Sequence, residues 1–424
     1  DARAVQDFLE ELGLRRRVAG RWQYDERHLC HSPQERLFFE GHWQDGLLPV
    51  QGVGADTLAQ YRRFAQRVAS AQQQAHYAIP VLRSAFAPVQ QAQDAITFKA
   101  WLDQNGLTDP HLRWYLDYAC RDDFGAGIAT VSAWAGLHYF ASRHGFHAPG
   151  GSEDGETPDA VFTWPEGNGW LSTRLAAPLG DRLHTGRVVL RIAQEREGVV
   201  VDALDVAAGR LERWHARQAV VALPLHVAAR VVQPAPDALR QHAAALRSAP
   251  WLVANLRLRA PLQDRPGAAP SWDNVLYGST GLGYVDAMHQ SLRPVPGPTV
   301  LTWYRAMGDE AGAREALLKT PWASWRDAVI AELAPAHSDL AGKTLRIDIV
   351  RYGHAMAVPV PGVLSQIATW RTSDKRQQLL KTEHLPVPQF AEAPRLRFAH
   401  SDWAGYSVFE EAFTLGHAAG LALA

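Results

Sequence analysis

Near the end of the chain an acid, Asp402, sits in a short loop between two patterned stretches, and the residue types around it suit ligand binding. Before it, Leu396 and Phe398 alternate with Arg395 and Arg397, the period of two that marks a short strand with one buried face. After it, Ser407 and Glu410 stand three apart. That is a capping-box pattern, in which each side chain bonds the other's backbone N–H, so a helix is predicted from about Val408. A carboxylate beside the free N–H groups of a helix start offers an acceptor for hydroxyls and donors for an anion. The same residues would equally serve a plain C-terminal strand followed by a well-capped helix. A second charged group, Arg121, Asp122 and Asp123, is wedged between apolar segments. It reads either as a local ion-pair network or as the polar lining of a substrate cavity. Two sets of histidines, His28, His31 and His42, then His138, His144 and His147, invite a metal reading. The spacing of the first set fits no standard site, and hydrogen-bonded or solvated histidines are expected in both.

The elements that must hold these groups follow from periodicity. Val5, Phe8, Leu9 and Leu12 mark the apolar face of an opening helix, with Gly13 as its C-cap. Leu37 to Phe39 followed by Glu40-Gly41-His42-Trp43 predicts a hairpin that turns at Gly41. From about 55 to 145 the pattern is helical. Leu58, Tyr61, Phe64, Ala65 and Val68 form one face, and Ile96, Phe98, Trp101 and Leu102 a second. Leu112 to Tyr118 gives a third helix and Val131 to Phe140 a strongly apolar fourth. Residues 147–158 have linker composition. Beyond Phe162 the chain turns to short strands, with Val189 and Ile192 facing Val199 and Val201 across a hairpin. Residues 250–360 read as an antiparallel sheet in which Leu252, Ala254, Leu256 and Leu258 share a face, interrupted by a helix around Trp322 to Leu333. In the last helix Ala412, Gly416, Ala419 and Gly420 make a narrow face that admits another backbone or a flat ligand.

The 424 residues suffice for two domains with a large core. Lys and Arg total 43 against 44 Asp and Glu, so the net charge of -1 gives no electrostatic reason to expect nucleic acid or an anionic membrane as partner. No apolar run approaches the roughly 18 residues of a spanning helix, so no transmembrane segment is expected. Cys30 and Cys120 are too few for a metal cluster and do not define a redox compartment.

The closing segment, FAHSD followed by GYSVFEEAFTLGHAAG, resembles that of the flavin amine oxidases and the related phytoene desaturases and protoporphyrinogen oxidases. The resemblance implies that Asp402, with Ser401 before it, contacts the ribityl and pyrophosphate part of FAD, and that Val408 and Phe409 lie near the flavin ring. Ser401 stands where the family has a glycine, and Glu411 where it has the glycine of a Glu-Gly-Ala triplet, which marks a side branch. Three more stretches match in the family's order. They are the segment from Pro165 to Gly169, a strand whose Val189 would hold the adenine through its main chain, and a strand ending in Ala222-Leu223-Pro224 below the flavin. The implied fold is α/β plus α+β: an incomplete Rossmann-like FAD-binding domain, an antiparallel-sheet substrate domain and a helical insertion. The corresponding boundaries are 1–50, 51–158, 159–232, 233–394 and 395–424, with the first, third and last belonging to the FAD-binding part.

The resemblance implies FAD as cofactor and a small-molecule substrate. It makes the chain an FAD-dependent oxidoreductase that moves a hydride from an amine or an activated C–H of an apolar substrate to flavin N5. Arg121, Tyr284, His289, Trp303, Tyr304 and Arg351 are candidates for the substrate cavity. His354, following Tyr352-Gly353 near the expected ring face, is the candidate base or orienter. Many amine oxidases of this family use a lysine on a substrate-domain strand. Residues 230–318 contain none, which argues against a standard amine oxidase. The alternative is a scaffold that keeps the fold and binds a ligand without turnover. It draws on the lack of any G-x-G-x-x-G, since the nearest cluster, Gly278, Gly281 and Gly283, leads into a strand rather than a helix. Because the chain starts at Asp1 inside a helical pattern, an upstream segment carrying that loop and any targeting signal is expected.

Overall fold

In the computed structural model, residues 2–30, 35–149, 161–289, 295, 297–373 and 385–423 are described. His31 and residues 150–158 of the expected linker lie outside them.

The opening helix, α1 (Arg3–Glu11), buries Val5 and Phe8. Gly13 beyond it takes a left-handed φ of 70°. Two short hairpins follow, β1 (Arg15–Val18) with β2 (Arg21–Tyr24), then β3 (Glu35–Phe39) with β4 (His42–Asp45). The second turns where predicted, at Glu40 and Gly41, whose φ values of 48° and 83° match the twist of a two-residue hairpin loop.

The helical stretch comprises α2 (Ala55–Gln74), α3 (Pro88–Asp94), α4 (Phe98–Gln104), α5 (Pro110–Phe124) and α6 (Ala133–Ala141). Three starts carry a side-chain acceptor. Thr97 takes the Ala100 N–H, Asp109 the Leu112 N–H and Ser132 the Ala135 N–H, each within 3.2 Å. Phe64, Phe98, Leu102, Leu112, Leu116 and Leu137 are fully buried between them. The contact of α6 on α4 depends on Gly136, because a Cβ there would sit 2.2 Å from the Phe98 ring. Phe98 is wholly enclosed and has nowhere to turn, so Gly136→Ala is expected to destabilise by roughly 1–3 kcal/mol or more, read as a lower urea midpoint. An unchanged midpoint would show that α4 and α6 are not held this closely.

Next come α7 (Gly169–Ala176) and an antiparallel sheet of β5 (Arg187–Gln194), β6 (Val199–Asp205) and β7 (Arg210–Ala216). They lead into β8 (Ala219–Val221), α8 (Leu225–Val231) and α9 (Asp237–Ala245). The chain continues through β9 (Arg247–Leu258), β10 (Asp273–Leu276), β11 (Tyr284–Asp286) and β12 (Thr299–Ala306). The helices α10 (Ala313–Lys319), α11 (Trp322–Leu333) and α12 (Leu340–Lys343) precede β13 (Thr344–Val358), and α13 (Val363–Ser373), β14 (Leu396–Phe398) and α14 (Phe409–Leu421) close it.

The largest sheet runs β13-β9-β12-β11-β10-β3-β4. It is antiparallel throughout except where β3 pairs parallel with β10. The hairpin of residues 35–45, expected with the FAD-binding remainder 1–50, therefore belongs to this sheet. Arg36 in β3 bonds Asn274, which is 238 residues further on, and no local pattern announces such a pairing. Leu252, Ala254, Leu256 and Leu258 do share a buried face, covered by Trp325, Val329 and Leu333 of α11. Elsewhere β8 and β14 form a parallel pair with Leu396 opposite Ala219 and Phe398 opposite Val221. The mixture of parallel and antiparallel pairing with helices on the sheets is the α/β plus α+β architecture expected.

Candidate cofactor and substrate site

Because β8 and β14 run in the same direction, the loops leaving their C-terminal ends lie side by side, the usual place for a ligand at a parallel sheet. One loop carries Pro224 into α8, and the other carries His400 to Tyr406 into α14. With the end of β13 they enclose a cavity of about 430 Å³. Pro224, His226, His354, Ser401, Asp402, Val408 and Phe409 are among the residues around it.

Asp402 is tied into this wall. Its Oδ2 accepts the Leu225 N–H at 2.9 Å, and the His400 Nδ1 lies 3.3 Å from its Oδ1. Burial pushes the carboxyl up, but His400, the Leu225 N–H and His226 together outweigh that and hold it below its ordinary value. A carboxylate is thus present at the cavity at neutral pH.

The capping box does not form. Helix α14 starts at Phe409 with Val408 as N-cap, and no side chain closes its first turn. Ser407 Oγ instead accepts the Ala357 N–H at 2.9 Å, a bond to β13 that only the tertiary fold provides. The helix start consequently keeps backbone donors beside the cavity. Glu411, one turn in, is completely buried and accepts the Val81 N–H at 2.6 Å through Oε1, while Oε2 has no partner. Burial pushes its carboxyl up to about 8, so it is largely neutral at pH 7.

His354 and His226 stack with ring centres 4.3 Å apart and planes 19° from parallel. Burial and, for His354, the neighbouring Arg314 charge lower both from the ordinary histidine value, so both rings are neutral at pH 7. The pair also borders a second cavity of about 540 Å³, walled in part by Met307, Glu310 and Arg314.

The Flavin containing amine oxidoreductase family matches residues 1–419. The chain belongs to this family. Its members are FAD-dependent oxidoreductases, and FAD is the cofactor. A relative of known sequence, the L-amino acid dehydrogenase of Synechocystis sp. (strain ATCC 27184 / PCC 6803 / Kazusa), is 29% identical over 149 residues. That stretch is 35% of this chain and only 29% of the relative. Among solved structures, putrescine oxidase bound to putrescine is similar with a TM-score of 0.67 at 16% identity, covering all of this chain and 86% of the other. Cyclohexylamine oxidase from Brevibacterium oxydans IH-35A is similar with a TM-score of 0.63 at 17% identity, covering 100% and 85%. At such identities the likeness is one of fold.

The residues at the cavity fit the polyol and phosphate part of FAD. Asp402 offers an ionised acceptor for hydroxyls, and the uncapped start of α14 offers N–H donors for an oxyanion. Pro224, Ser401, Asp402, Val408 and Phe409, the cofactor contacts implied by the resemblance, all line the cavity with His354. Val189 and Ala222 do not. Val189 pairs with Ala203 inside the β5–β7 sheet, and Ala222 is exposed just past β8.

The substrate-cavity candidates scatter. Tyr284 and Trp303 point to the helix-covered face of the large sheet, where the Tyr284 hydroxyl is 2.7 Å from His337 Nε2 and the Trp303 Nε1–H bonds Glu332. Tyr304, next in the chain to Trp303, necessarily takes the opposite face and stacks on Trp251. His289 lies against Trp272 with its Nδ1 2.8 Å from the Asp286 carbonyl. Arg351 is exposed and donates to the Thr320 carbonyl. Arg121 is engaged by Asp117 at 2.9 Å and by the Thr280 carbonyl. The ion-pair reading of residues 121–123 applies to Asp123, which accepts from the Tyr406 hydroxyl at 2.5 Å and from Arg143. His138 is a core histidine bonded to the Ala78 carbonyl at 2.8 Å.

Sequence reasoning missed His226 and His400. Each lies two residues from a residue it did select, Pro224 and Asp402, and proximity to those motif residues was the available signal.

Proposed function

We propose that this protein oxidises a small-molecule amine, or an activated C–H, by hydride transfer in the cavity bounded by His354 and Asp402. The observation that carries this is convergence. Pro224 and His226, His354 to Met356, and Ser401, Asp402 and Ser407 to Phe409, from stretches far apart in sequence, wall one cavity. Bound FAD supplies the hydride acceptor there. The chain's own part is to hold the cofactor's hydroxyls at Asp402 and its anionic groups at the α14 start, and to present a neutral imidazole. His354, braced by His226, takes the proton that an alkylammonium substrate must lose before its C–H bond can give up a hydride. The second cavity beyond the histidine pair is the approach for substrate.

The first test is the visible absorption spectrum of the chain during titration with FAD. Shifted flavin bands on binding, then bleached under anaerobic conditions by amines, support the reading, whereas a spectrum identical to free FAD at every protein concentration overturns it. The histidines add a second expected result. His354→Gln should lower kcat about tenfold or more with FAD affinity unchanged. Because the imidazole is held below its ordinary value, the acid limb of the wild-type pH profile should lie below 6.5. A mutant with the same kcat and the same limb would remove His354 from the role.

A further inference from the structure

Three polar side chains form a row across the large sheet on the face that carries Tyr284. Asn274 in β10 pairs directly with Arg36 in β3 on one side and with Tyr284 in β11 on the other, so the three project together. With His337, from the loop between α11 and α12, they enter the wall of a cavity of about 350 Å³. It shares no lining residue with the two cavities beside His354. Pro261, Leu262, Pro270, Met288 and Leu301 supply its apolar lining.

Arg36, Asn274, Tyr284 and His337 are each 3% exposed or less, so their bonding decides what the cavity can hold. Arg36 donates from Nε to Asn274 Oδ1 at 2.6 Å and from Nη1 to the Ala268 carbonyl at 3.2 Å, and it lies over the Trp43 ring at 4.1 Å. A guanidinium has five N–H groups, more than these acceptors use. Among the described residues only the Asp264 carboxylate comes within 4 Å of it, at 3.9 Å, and that side chain is 60% exposed. Such a counter-ion is largely given over to water.

The Tyr284 hydroxyl is 2.7 Å from His337 Nε2 and also borders Arg36. With Arg36 donating to the Tyr284 oxygen, the hydroxyl hydrogen is directed to Nε2, and the imidazole hydrogen is assigned to Nδ1. Burial, with the Arg36 and Arg265 charges, pushes this imidazole down to about 4 against the pull of Asp339, so it is neutral at pH 7. Its Nδ1 is buried with no partner. Asp286, also at the wall, already accepts the Met288 N–H at 2.9 Å and the Thr299 hydroxyl at 3.0 Å.

The cavity therefore combines a buried cation and a buried N–H donor, both short of acceptors, with apolar walls. A dianion such as phosphate would meet the charges of Asp264 and Asp286 there. A single carboxylate matches the one guanidinium and leaves the apolar walls to its tail. We infer that this cavity is a second ligand site, separate from the cofactor and substrate site, and that it takes a small aliphatic monocarboxylate. Arg36 and the His337 Nδ1–H hold the carboxylate, Asn274 and Tyr284 position those two donors, and the ligand's chain lies against Leu262, Met288 and Leu301.

The test is calorimetric titration of the chain with hexanoate and with 1-hexanol at pH 7 and low salt. Hexanoate is expected to bind once per chain, roughly tenfold tighter than the alcohol or more, and equally with and without saturating FAD. Arg36→Met should remove that preference and leave the FAD titration as in the parent. Asp264→Asn, at an exposed position, takes away the competing charge and should tighten hexanoate binding about threefold. This second variant decides the matter should Arg36→Met fold poorly. No preference for hexanoate, competition by FAD, a preference that survives Arg36→Met in a normally melting protein, or an affinity unchanged or weakened in Asp264→Asn overturns the inference.

Discussion

Relative to the parent, Glu411→Gln is expected to gain stability as pH rises from about 4.5 to about 8, with the difference between the two proteins constant below and above that window. In the folded chain the Glu411 carboxyl titrates at about 8, against 4.5 for an ordinary glutamate. Between those values the folded state holds a proton that the unfolded state releases, so stability falls with rising pH across that window. The separation corresponds to roughly 5 kcal/mol as an upper bound. Glutamine retains a carbonyl for the Val81 N–H but cannot ionise. Its amide meets the same unpartnered space as Oε2, at a cost of about 1–3 kcal/mol, so the pH-dependent difference is the readout and not the absolute stability. Urea unfolding of both proteins at pH 5 and pH 8.5 measures it. A difference that does not change with pH would show that Glu411 is charged in the folded protein.

Asp402→Ala should lose FAD affinity by on the order of a hundredfold, the effect of deleting a buried charged acceptor of hydroxyl hydrogen bonds. The same change strips the Leu225 N–H of its acceptor at the start of α8 and should cost about 1 kcal/mol of stability. Asp402→Asn separates the two effects. It can still accept from Leu225, so its melting temperature should stay near the parent's while FAD affinity falls. Since the Asp402 carboxyl is held below its ordinary value, its contribution to stability is present above the unfolded pKa and is lost as pH falls through the folded one. FAD affinity in Asp402→Ala equal to the parent's would place the cofactor elsewhere.

Much of this cavity wall was legible because its residues are contiguous. Ser401, Asp402, Val408 and Phe409 lie within nine positions and belong to one strand, loop and helix start, each with its own short-range pattern. The capping box failed for a reason the sequence does not contain, since the hydroxyl of Ser407 had a better-placed donor in Ala357. Tyr284 and Tyr304 looked alike as strand aromatics, yet one is sealed under α11 and the other faces α5, because the period of two leaves the absolute face undecided until neighbouring strands pair. Arg121, Asp122 and Asp123 were singled out together, but that Asp123 is the member held by Tyr406 and Arg143 appears only when α5 packs against the loop before α14.

The sequence by itself determined most of the elements, the cap and turn at Gly13 and Gly41, and the acid Asp402 between the last strand and the last helix, because these depend on side chains within a few positions of one another. The tertiary structure alone decided that residues 35–45 join the large sheet, that His226 stacks on His354, and that Glu411 is buried with a single partner. Each of those depends on pairing register and packing between segments far apart in the chain, where the free energy belongs to the contact and to neither segment alone.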